Sequence, residues 1–207
     1  MEEPVVVPVP GGPSLEGRLA LVPDPKGGFV LCHPHPLYGG DMDNPVIMRA
    51  AEVVREVGHA TLRFNFRGVG ASTGTHDKGA GEQDDVRAAV AALAGHLPPG
   101  SSVGVIGYSF GAWTAARAMR PGAAPLGLIA PPLGMFDFQL PTSPAGRMLV
   151  VAGTRDTYCP VDALHQLART TGAEERIIEG ADHFFFGKLY PLGEAIRAWV
   201  TGAPPAR

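Results

Sequence analysis

The chain has 207 residues, of which 45% are hydrophobic and 18% charged, so its composition excludes a disordered protein and predicts one globular domain over residues 1–207. The 17 Lys and Arg against 20 Asp and Glu give a net charge of −3 without any basic run, which disfavours nucleic acid and anionic membranes as partners. No apolar stretch is long enough to span a membrane and the first residues show no basic leader pattern, so we expect a cytoplasmic protein that binds a small neutral or apolar molecule. The two distant cysteines, Cys32 and Cys159, are expected to be free thiols.

The first two strand-like runs, at residues 5–9 and 15–22, are joined by Pro10-Gly11-Gly12-Pro13. This connection is too short for the crossover that parallel strands require, so the two runs predict an antiparallel hairpin at one edge of a sheet. From the third run onward, helical patterns separate most of the strand-like runs. This alternation predicts an α/β fold, a mostly parallel twisted sheet of about eight strands with helices on both faces. The six later runs lie at residues 28–32, 60–64, 102–107, 126–130, 148–152 and 175–179.

The helical segments carry apolar residues at helical spacing and have recognisable ends. Asn44-Pro45 predicts an N-cap and a first-turn proline for the helix that Gly58 terminates, and Gly172 terminates a later helix. The connection between the sixth and seventh strand-like runs, residues 131–147, is too short for a cap domain of several helices. We therefore expect no cap domain and an open active site.

A motif with chemical meaning follows the fifth strand-like run. Residues 107–111 read Gly-Tyr-Ser-Phe-Gly, a G-x-S-x-G sequence between a strand and a helical pattern. In this setting the serine sits on a sharp turn, and the flanking glycines let the neighbouring backbone pass without a clash. Ser109 is therefore predicted to project from the carboxyl end of a central strand as a nucleophile, close to unpaired N–H groups at the helix N-terminus.

A serine nucleophile needs a base and an acid that orients the base, and both residue types follow at strand ends. Asp156 comes shortly after the seventh run, and His183 shortly after the eighth. The order Ser, Asp, His is the one expected for this architecture. Asp137, beyond the sixth run, is an alternative acid, whereas Asp182 is expected to point elsewhere because adjacent residues seldom converge on one ring.

Several segments together carry a family resemblance: His33-Pro34-His35-Pro36 with Gly39-Gly40 and Asn44, the stretch Asn65-Phe66-Arg67-Gly68-Val69-Gly70-Ala71-Ser72, the motif at 107–111, Asp156 and His183. On these residues the chain resembles the α/β-hydrolase fold family, most closely its small capless bacterial members of the dienelactone-hydrolase-like and dipeptidyl-peptidase-like type. The resemblance covers nearly the whole chain and implies Ser109 as nucleophile, Asp156 as acid and His183 as base. Dienelactone hydrolases proper carry cysteine at the nucleophile position, so the resemblance does not extend to their substrate.

The sequence also indicates which backbone amides stabilise an oxyanion. Phe110, directly after the nucleophile, is expected to supply one of them. Similar proteins take the second amide from the turn after the third strand. The prolines on both sides of His35 have no N–H, so His35 is the first choice, with Leu37 and Tyr38 as alternatives.

Four side chains are candidates for substrate contacts, namely Tyr38, Arg67, Tyr108 and Phe184. Arg67 could neutralise a substrate carboxylate or brace its own loop through hydrogen bonds, and we favour bracing. Phe184 begins a run of three phenylalanines after His183, which could wall the acyl or leaving-group side of a pocket or pack in the core.

Other functions are less well supported. His33, His35, Asp41 and Asp43 could suggest a metal site, but histidines between prolines more plausibly shape a turn, and we expect neither a metal nor a cofactor. The loop at 68–74 has the spacing G-x-G-x-x-x-G, which departs from a dinucleotide fingerprint. We therefore predict a serine hydrolase that cleaves a small-molecule carboxylic ester through an acyl-enzyme. The alternatives are a thioesterase, a small peptidase or amidase, and a non-catalytic binding protein of the same fold.

Overall fold

The structure is a computed structural model that describes residues 1–119, 124–136 and 147–203. Within these ranges the chain forms one eight-stranded sheet and five α-helices. None of these five helices is long and apolar enough to cross a membrane. The strands are β1 (Glu3–Pro8), β2 (Ser14–Ala20), β3 (Gly28–Cys32), β4 (Ala60–Phe64), β5 (Val103–Tyr108), β6 (Leu126–Ile129), β7 (Met148–Gly153) and β8 (Glu174–Ile178). The helices are α1 (Pro45–Glu56), α2 (Gly81–Gly95), α3 (Phe110–Ala118), α4 (Val161–Thr171) and α5 (Leu189–Thr201).

The strands lie in the order β1-β2-β4-β3-β5-β6-β7-β8 across the sheet. β2 pairs antiparallel with both β1 and β4, whereas all the other neighbouring strands are parallel. The turn between β1 and β2 is closed by the Val9 N–H, which donates to the Pro13 carbonyl, and the Gly12 N–H, which donates to the Val9 carbonyl, both at 2.9 Å. The pairing with β4 ends at Ala20, so β2 ends two residues earlier than predicted. The predicted α/β sheet and its antiparallel N-terminal hairpin are confirmed.

Two helical layers bury the apolar side chains on the two faces of the sheet. α1 and α5 cover one face, where Ile47 and Trp199 belong to the core, and α2, α3 and α4 cover the other, where Leu93 and Leu164 do. Strands β3, β4 and β5 are buried along their whole length, as expected for central strands covered on both sides. The predicted placement of helices on both faces is therefore confirmed.

The helix ends follow the predicted chemistry. The side-chain oxygen of Asn44 accepts the Val46 N–H at 3.0 Å, and Pro45 occupies the first turn of α1. Gly172 ends α4 and Gly58 follows α1, with φ angles of 68° and 89° that suit glycine. These helix ends fix where the loops that adjoin α1 and α4 begin.

A chain of buried polar groups ties the hairpin to the loop that precedes α1. Asn65, directly after β4, donates its Nδ2–H to Oε2 of Glu16 on β2 at 2.8 Å. The Oδ1 of Asn65 accepts the Met42 N–H at 2.8 Å, and Arg63 of β4 donates to the Met42 carbonyl at 2.5 Å. Both backbone polar groups of Met42 are thus held from the sheet, which positions the loop between β3 and α1.

Candidate active site

Ser109 lies on the turn between β5 and α3 in an unusual backbone conformation, with φ 54° and ψ −116°. Its N–H donates to the Ile129 carbonyl at 2.9 Å, which fixes the turn to the neighbouring strand. A Cβ atom on Gly107 would lie 2.3 Å from the carbonyl oxygen of Gly111, and one on Gly111 would lie 2.1 Å from that of Cys32. Both flanking positions therefore require glycine, and Ser109 is held in a strained conformation at the carboxyl end of β5.

The side chains of Ser109, His183 and Asp156 form a continuous hydrogen-bonded row. The Ser109 Oγ lies 2.9 Å from Nε2 of His183, and Nδ1 of the same ring lies 2.9 Å from Oδ2 of Asp156. The carboxylate side chain is fully buried, and the imidazole is 10% exposed. Because a carboxylate only accepts hydrogen bonds, Nδ1 carries the proton and Nε2 is left to accept the serine O–H.

Further hydrogen bonds fix the acid and the base. Oδ1 of Asp156 accepts the N–H groups of Tyr158 and Cys159, both at 2.9 Å. The Tyr108 hydroxyl donates to the backbone carbonyl of His183 at 2.9 Å. Burial, with a contribution from the Asp156 charge, raises the pKa of Tyr108, so the phenol stays a neutral donor. Tyr108, predicted as a substrate contact, lines the cleft described below and also positions His183.

The turn after β3 faces the start of α3. Phe110 is the first residue of α3, where N–H groups have no acceptor within the helix, and its ring lies 4.7 Å from the His35 ring. The amides of Leu37 and Tyr38 are already hydrogen-bonded to the ring and the carbonyl of His35, at 3.2 Å and 3.1 Å. This arrangement favours the amides of Phe110 and His35 over the alternatives as donors to an oxyanion.

His33 follows β3 and is fully buried beneath this turn. Its Nε2 accepts the Phe66 N–H at 3.0 Å, so its Nδ1 carries the proton and donates to the Pro34 carbonyl 2.7 Å away. Burial lowers the pKa of His33 to about 4. Both ring nitrogens are thus engaged by the backbone, and the Asp43 carboxylate pairs with Arg63 at 2.7 Å, so the residues of the hypothetical metal site have structural partners instead.

We expect His33 to make the stability of the fold depend on pH. Its pKa falls from 6.5 to about 4 on burial, so the unfolded chain takes up the proton first as the pH drops. The stability present above pH 6.5 is therefore lost on acidification toward pH 4. Between about pH 7 and pH 4.5, wild type should lose about 2 to 3 kcal/mol more free energy of unfolding than His33→Gln, measured by urea denaturation. Glutamine offers a donor and an acceptor but does not titrate, and an equal loss in both proteins would contradict this role.

Arg67 braces the loop after β4. Its guanidinium Nη2 donates to Oδ1 of Asp85 at 2.7 Å, and its backbone N–H donates to Oδ2 at 3.1 Å. The Asp85 side chain is fully buried, and a Cβ atom on Gly81 would lie only 1.8 Å from Nη1 of Arg67, so the guanidinium lies across the first turn of α2. Arg67 is not among the described residues that line the cleft, and its placement favours bracing over contact with a substrate carboxylate.

A cleft of about 470 Å³ opens over Ser109. Its described lining includes six Phe or Tyr residues and contains no Lys, Arg, Asp or Glu. Tyr38 is 84% exposed at the rim, and Phe184 is 55% exposed. The described lining residues are Pro34, His35, Tyr38, Gly39, Gly40, Asn44, Tyr108, Ser109, Phe110, Pro132, Met135, Phe136, Tyr158, His183 and Phe184.

The three phenylalanines after His183 have different surroundings. Phe185 is fully buried in the core, whereas Phe184 and Phe186 are exposed and Phe184 lines the cleft. Oδ1 of Asp182 accepts the N–H groups of Phe184 and Phe186, at 3.0 Å and 3.3 Å, so this carboxylate caps the turn that carries them.

Tyr158, Met135 and Phe136 also line the cleft, and no sequence motif had indicated them. The Tyr158 ring lies 4.8 Å from that of His183. A signal was available for Tyr158, because it stands two residues after Asp156, in the turn whose amides the acid accepts. Asp137, the alternative acid, lies outside the described residues.

Comparisons with known proteins agree with this fold. The family described as X-Pro dipeptidyl-peptidase (S15 family) matches residues 30–184. An uncharacterized protein of Rickettsia prowazekii is 34% identical over 201 residues, covering 90% of this chain and 84% of the relative. An α/β serine hydrolase homologue from Coxiella burnetii is 34% identical, with a TM-score of 0.86 over 94% of this chain and 95% of that one. XC6422 from Xanthomonas campestris, an α/β serine hydrolase without a lid, is 33% identical, with a TM-score of 0.85 over 100% of this chain and 96% of that one.

The sheet order, the serine turn after β5 and these neighbours define the molecule as a small α/β hydrolase of the lidless serine type. The resemblance predicted from the sequence is thereby confirmed. Within this class, the chain belongs to the X-Pro dipeptidyl-peptidase (S15) family.

Proposed function

We propose that this protein is a serine hydrolase that cleaves a carboxylic ester of a small molecule through an acyl-enzyme intermediate. The observation that carries the proposal is the row of Ser109, His183 and Asp156, with successive atom pairs 2.9 Å apart beneath an open cleft. A serine in this setting has a base within reach of its proton and an acid that orients the base.

Acylation uses the groups that surround Ser109. Nε2 of His183 takes the serine proton while Oγ attacks the carbonyl carbon of the ester. The carbonyl oxygen becomes an oxyanion that accepts hydrogen bonds from the amides of Phe110 and His35, and Asp156 stabilises the imidazolium. The tetrahedral intermediate then collapses, the ester C–O bond breaks, and His183 donates its proton to the leaving alcohol.

Deacylation repeats these steps with water as the nucleophile. His183 takes a proton from water, and the resulting hydroxide attacks the acyl carbonyl bound to Ser109. The second collapse returns the proton to the serine oxygen and releases the carboxylic acid. The cycle uses protein groups and water throughout.

The cleft favours a neutral ester over a peptide with a free amino terminus. A carboxylate is the natural partner for a substrate ammonium group, and none of the described lining residues is acidic. None of them is Lys or Arg either, so a substrate carboxylate would also lack a charged partner there. A thioester would pass through the same tetrahedral states and is the alternative substrate for these residues.

The test of this proposal is the intact mass of the protein after treatment with a fluorophosphonate, which reacts quickly only with an activated serine. We expect one adduct on wild type, none on Ser109→Ala, and one on Ser102→Ala. Ser102 is a matched control because it is exposed just before the amino end of the same strand, β5. Folded wild-type protein that forms no adduct would contradict the proposal and favour a binding role.

A further inference from the structure

The chemistry of the proposed reaction assigns one side of the cleft to the leaving alcohol. Nε2 of His183 must protonate the alcohol oxygen, so that oxygen lies within hydrogen-bond reach of the imidazole when the C–O bond breaks. The oxyanion is directed toward the amides of Phe110 and His35 instead. The group attached to the alcohol oxygen therefore extends along the His183 ring.

Three aromatic side chains of the described cleft lining lie next to the His183 ring; Tyr108 is buried, whereas Tyr158 and Phe184 are exposed. The ring centroids of Tyr158 and Phe184 lie 4.8 Å and 5.6 Å from that of His183. Their residues are 41% and 55% exposed, so each ring has surface free to contact a ligand. Both belong to the cleft lining.

Hydrogen bonds hold the backbone beneath both rings. Asp156 accepts the Tyr158 N–H at 2.9 Å, and the Tyr158 carbonyl accepts the Gly134 N–H at 3.0 Å. Asp182 accepts the Phe184 N–H at 3.0 Å. The backbone that carries the two rings is therefore fixed before a ligand arrives, which lowers the entropy lost when a ligand binds between them.

We propose that Tyr158 and Phe184 form the subsite for the alcohol part of the ester, and that this subsite takes aromatic alcohols. The inference rests on the proposed function, because it is the proton transfer from His183 that places the alcohol here. An aromatic ring gains edge-to-face and offset contacts with Tyr158 and Phe184 beyond those that its area alone provides. The absence of charged side chains from the described lining suits a neutral alcohol.

The test compares ethyl, cyclohexylmethyl and benzyl acetate, which share one acyl group and have alcohols of similar acidity. We expect kcat/KM for benzyl acetate to exceed that for ethyl acetate by at least about tenfold and that for cyclohexylmethyl acetate by about threefold. Phe184→Ala and Tyr158→Ala should each lower the benzyl-to-ethyl ratio by about three- to tenfold, because the ethyl group has less surface to contact these two rings. Phe186→Ala, an exposed ring in the same turn and outside the described cleft lining, should leave the ratio unchanged.

An unchanged ratio in both Phe184→Ala and Tyr158→Ala would overturn the subsite. Equal turnover of the cyclohexylmethyl and benzyl esters would overturn its assignment to aromatic alcohols. Labelling of Ser109 by the fluorophosphonate uses none of these esters, so it tests the proposed function separately. A labelled serine without hydrolysis of any of the three esters overturns the subsite alone, whereas an unlabelled serine in folded protein overturns both proposals.

Discussion

We expect Ser109→Ala to lower kcat for ester hydrolysis by about five orders of magnitude and to leave the free energy of unfolding nearly unchanged. In the proposed mechanism the hydroxyl forms the acyl-enzyme, so His183 and Asp156 would have no nucleophile to activate once it is removed. Among the described residues, its loss removes the hydrogen bond with Nε2 of His183. Steady-state kinetics and thermal unfolding of the same preparation measure both quantities, and turnover close to wild type would contradict the role of Ser109.

Ser109→Gly separates the chemistry of this position from its backbone strain. Glycine adopts φ 54° and ψ −116° without the clash that a Cβ atom brings, so this variant should be as inactive as Ser109→Ala but more stable than it by about 1 kcal/mol. Urea denaturation of the two inactive variants measures the difference. A glycine variant less stable than the alanine variant would show that the serine turn stores no strain.

Asp156→Asn should lower kcat by about 10⁴-fold while the protein stays folded. Oδ1 of Asp156 accepts two backbone N–H groups, so the asparagine keeps its oxygen there and turns its NH₂ group toward Nδ1 of His183. Nδ1 must then be the acceptor, which places the ring proton on Nε2, the atom that has to receive the proton of Ser109. The imidazole is thereby held in the wrong tautomer for a base.

Asp182→Asn is the matched control for this variant. Asp182 adjoins His183, but its Oδ1 accepts the N–H groups of Phe184 and Phe186, which an amide oxygen can also accept. We expect kcat within about twofold of wild type for Asp182→Asn. The effects on kcat of residues that act as one unit are not additive. The double variant Ser109→Ala with Asp156→Asn should therefore have a kcat little below that of Ser109→Ala alone. Equal losses in Asp156→Asn and Asp182→Asn would mean that Asp156 has no special part in the reaction.

The candidate site could be predicted because its three side chains follow strands that hydrophobic patterns locate to within one or two residues. Ser109 follows β5, Asp156 follows β7 and His183 follows β8. In a parallel sheet the carboxyl ends of the strands meet at one edge, so a correct strand assignment brings together residues 74 positions apart. The choice of His35 rests on covalent chemistry, since the prolines beside it have no N–H to offer.

Part of the cleft lining could not be predicted in this way. Tyr158 and Met135 stand on loops, and the direction of a loop side chain depends on turn geometry that no periodic pattern encodes. The partner of Arg67 could not be predicted either. Its contact with Asp85 depends on Gly81, which leaves room for a guanidinium at the start of α2. Local patterns thus predict which strand end carries a residue, whereas the packing between loops decides what that residue touches.

The hydrogen bonds from Glu16 through Asn65 to Met42 limit how much of the N-terminal part of the chain can be deleted. Met42 lies between Gly40 and Asn44, which both line the cleft, so the antiparallel strand β2, which carries Glu16, helps to shape the wall of the pocket. A shortened variant without β1 and β2 would keep the parallel part of the sheet, but it would leave the Nδ2–H of Asn65 without its acceptor and β4 as an open edge. The hairpin therefore supports the cleft, although every residue of the proposed triad comes from the opposite half of the chain.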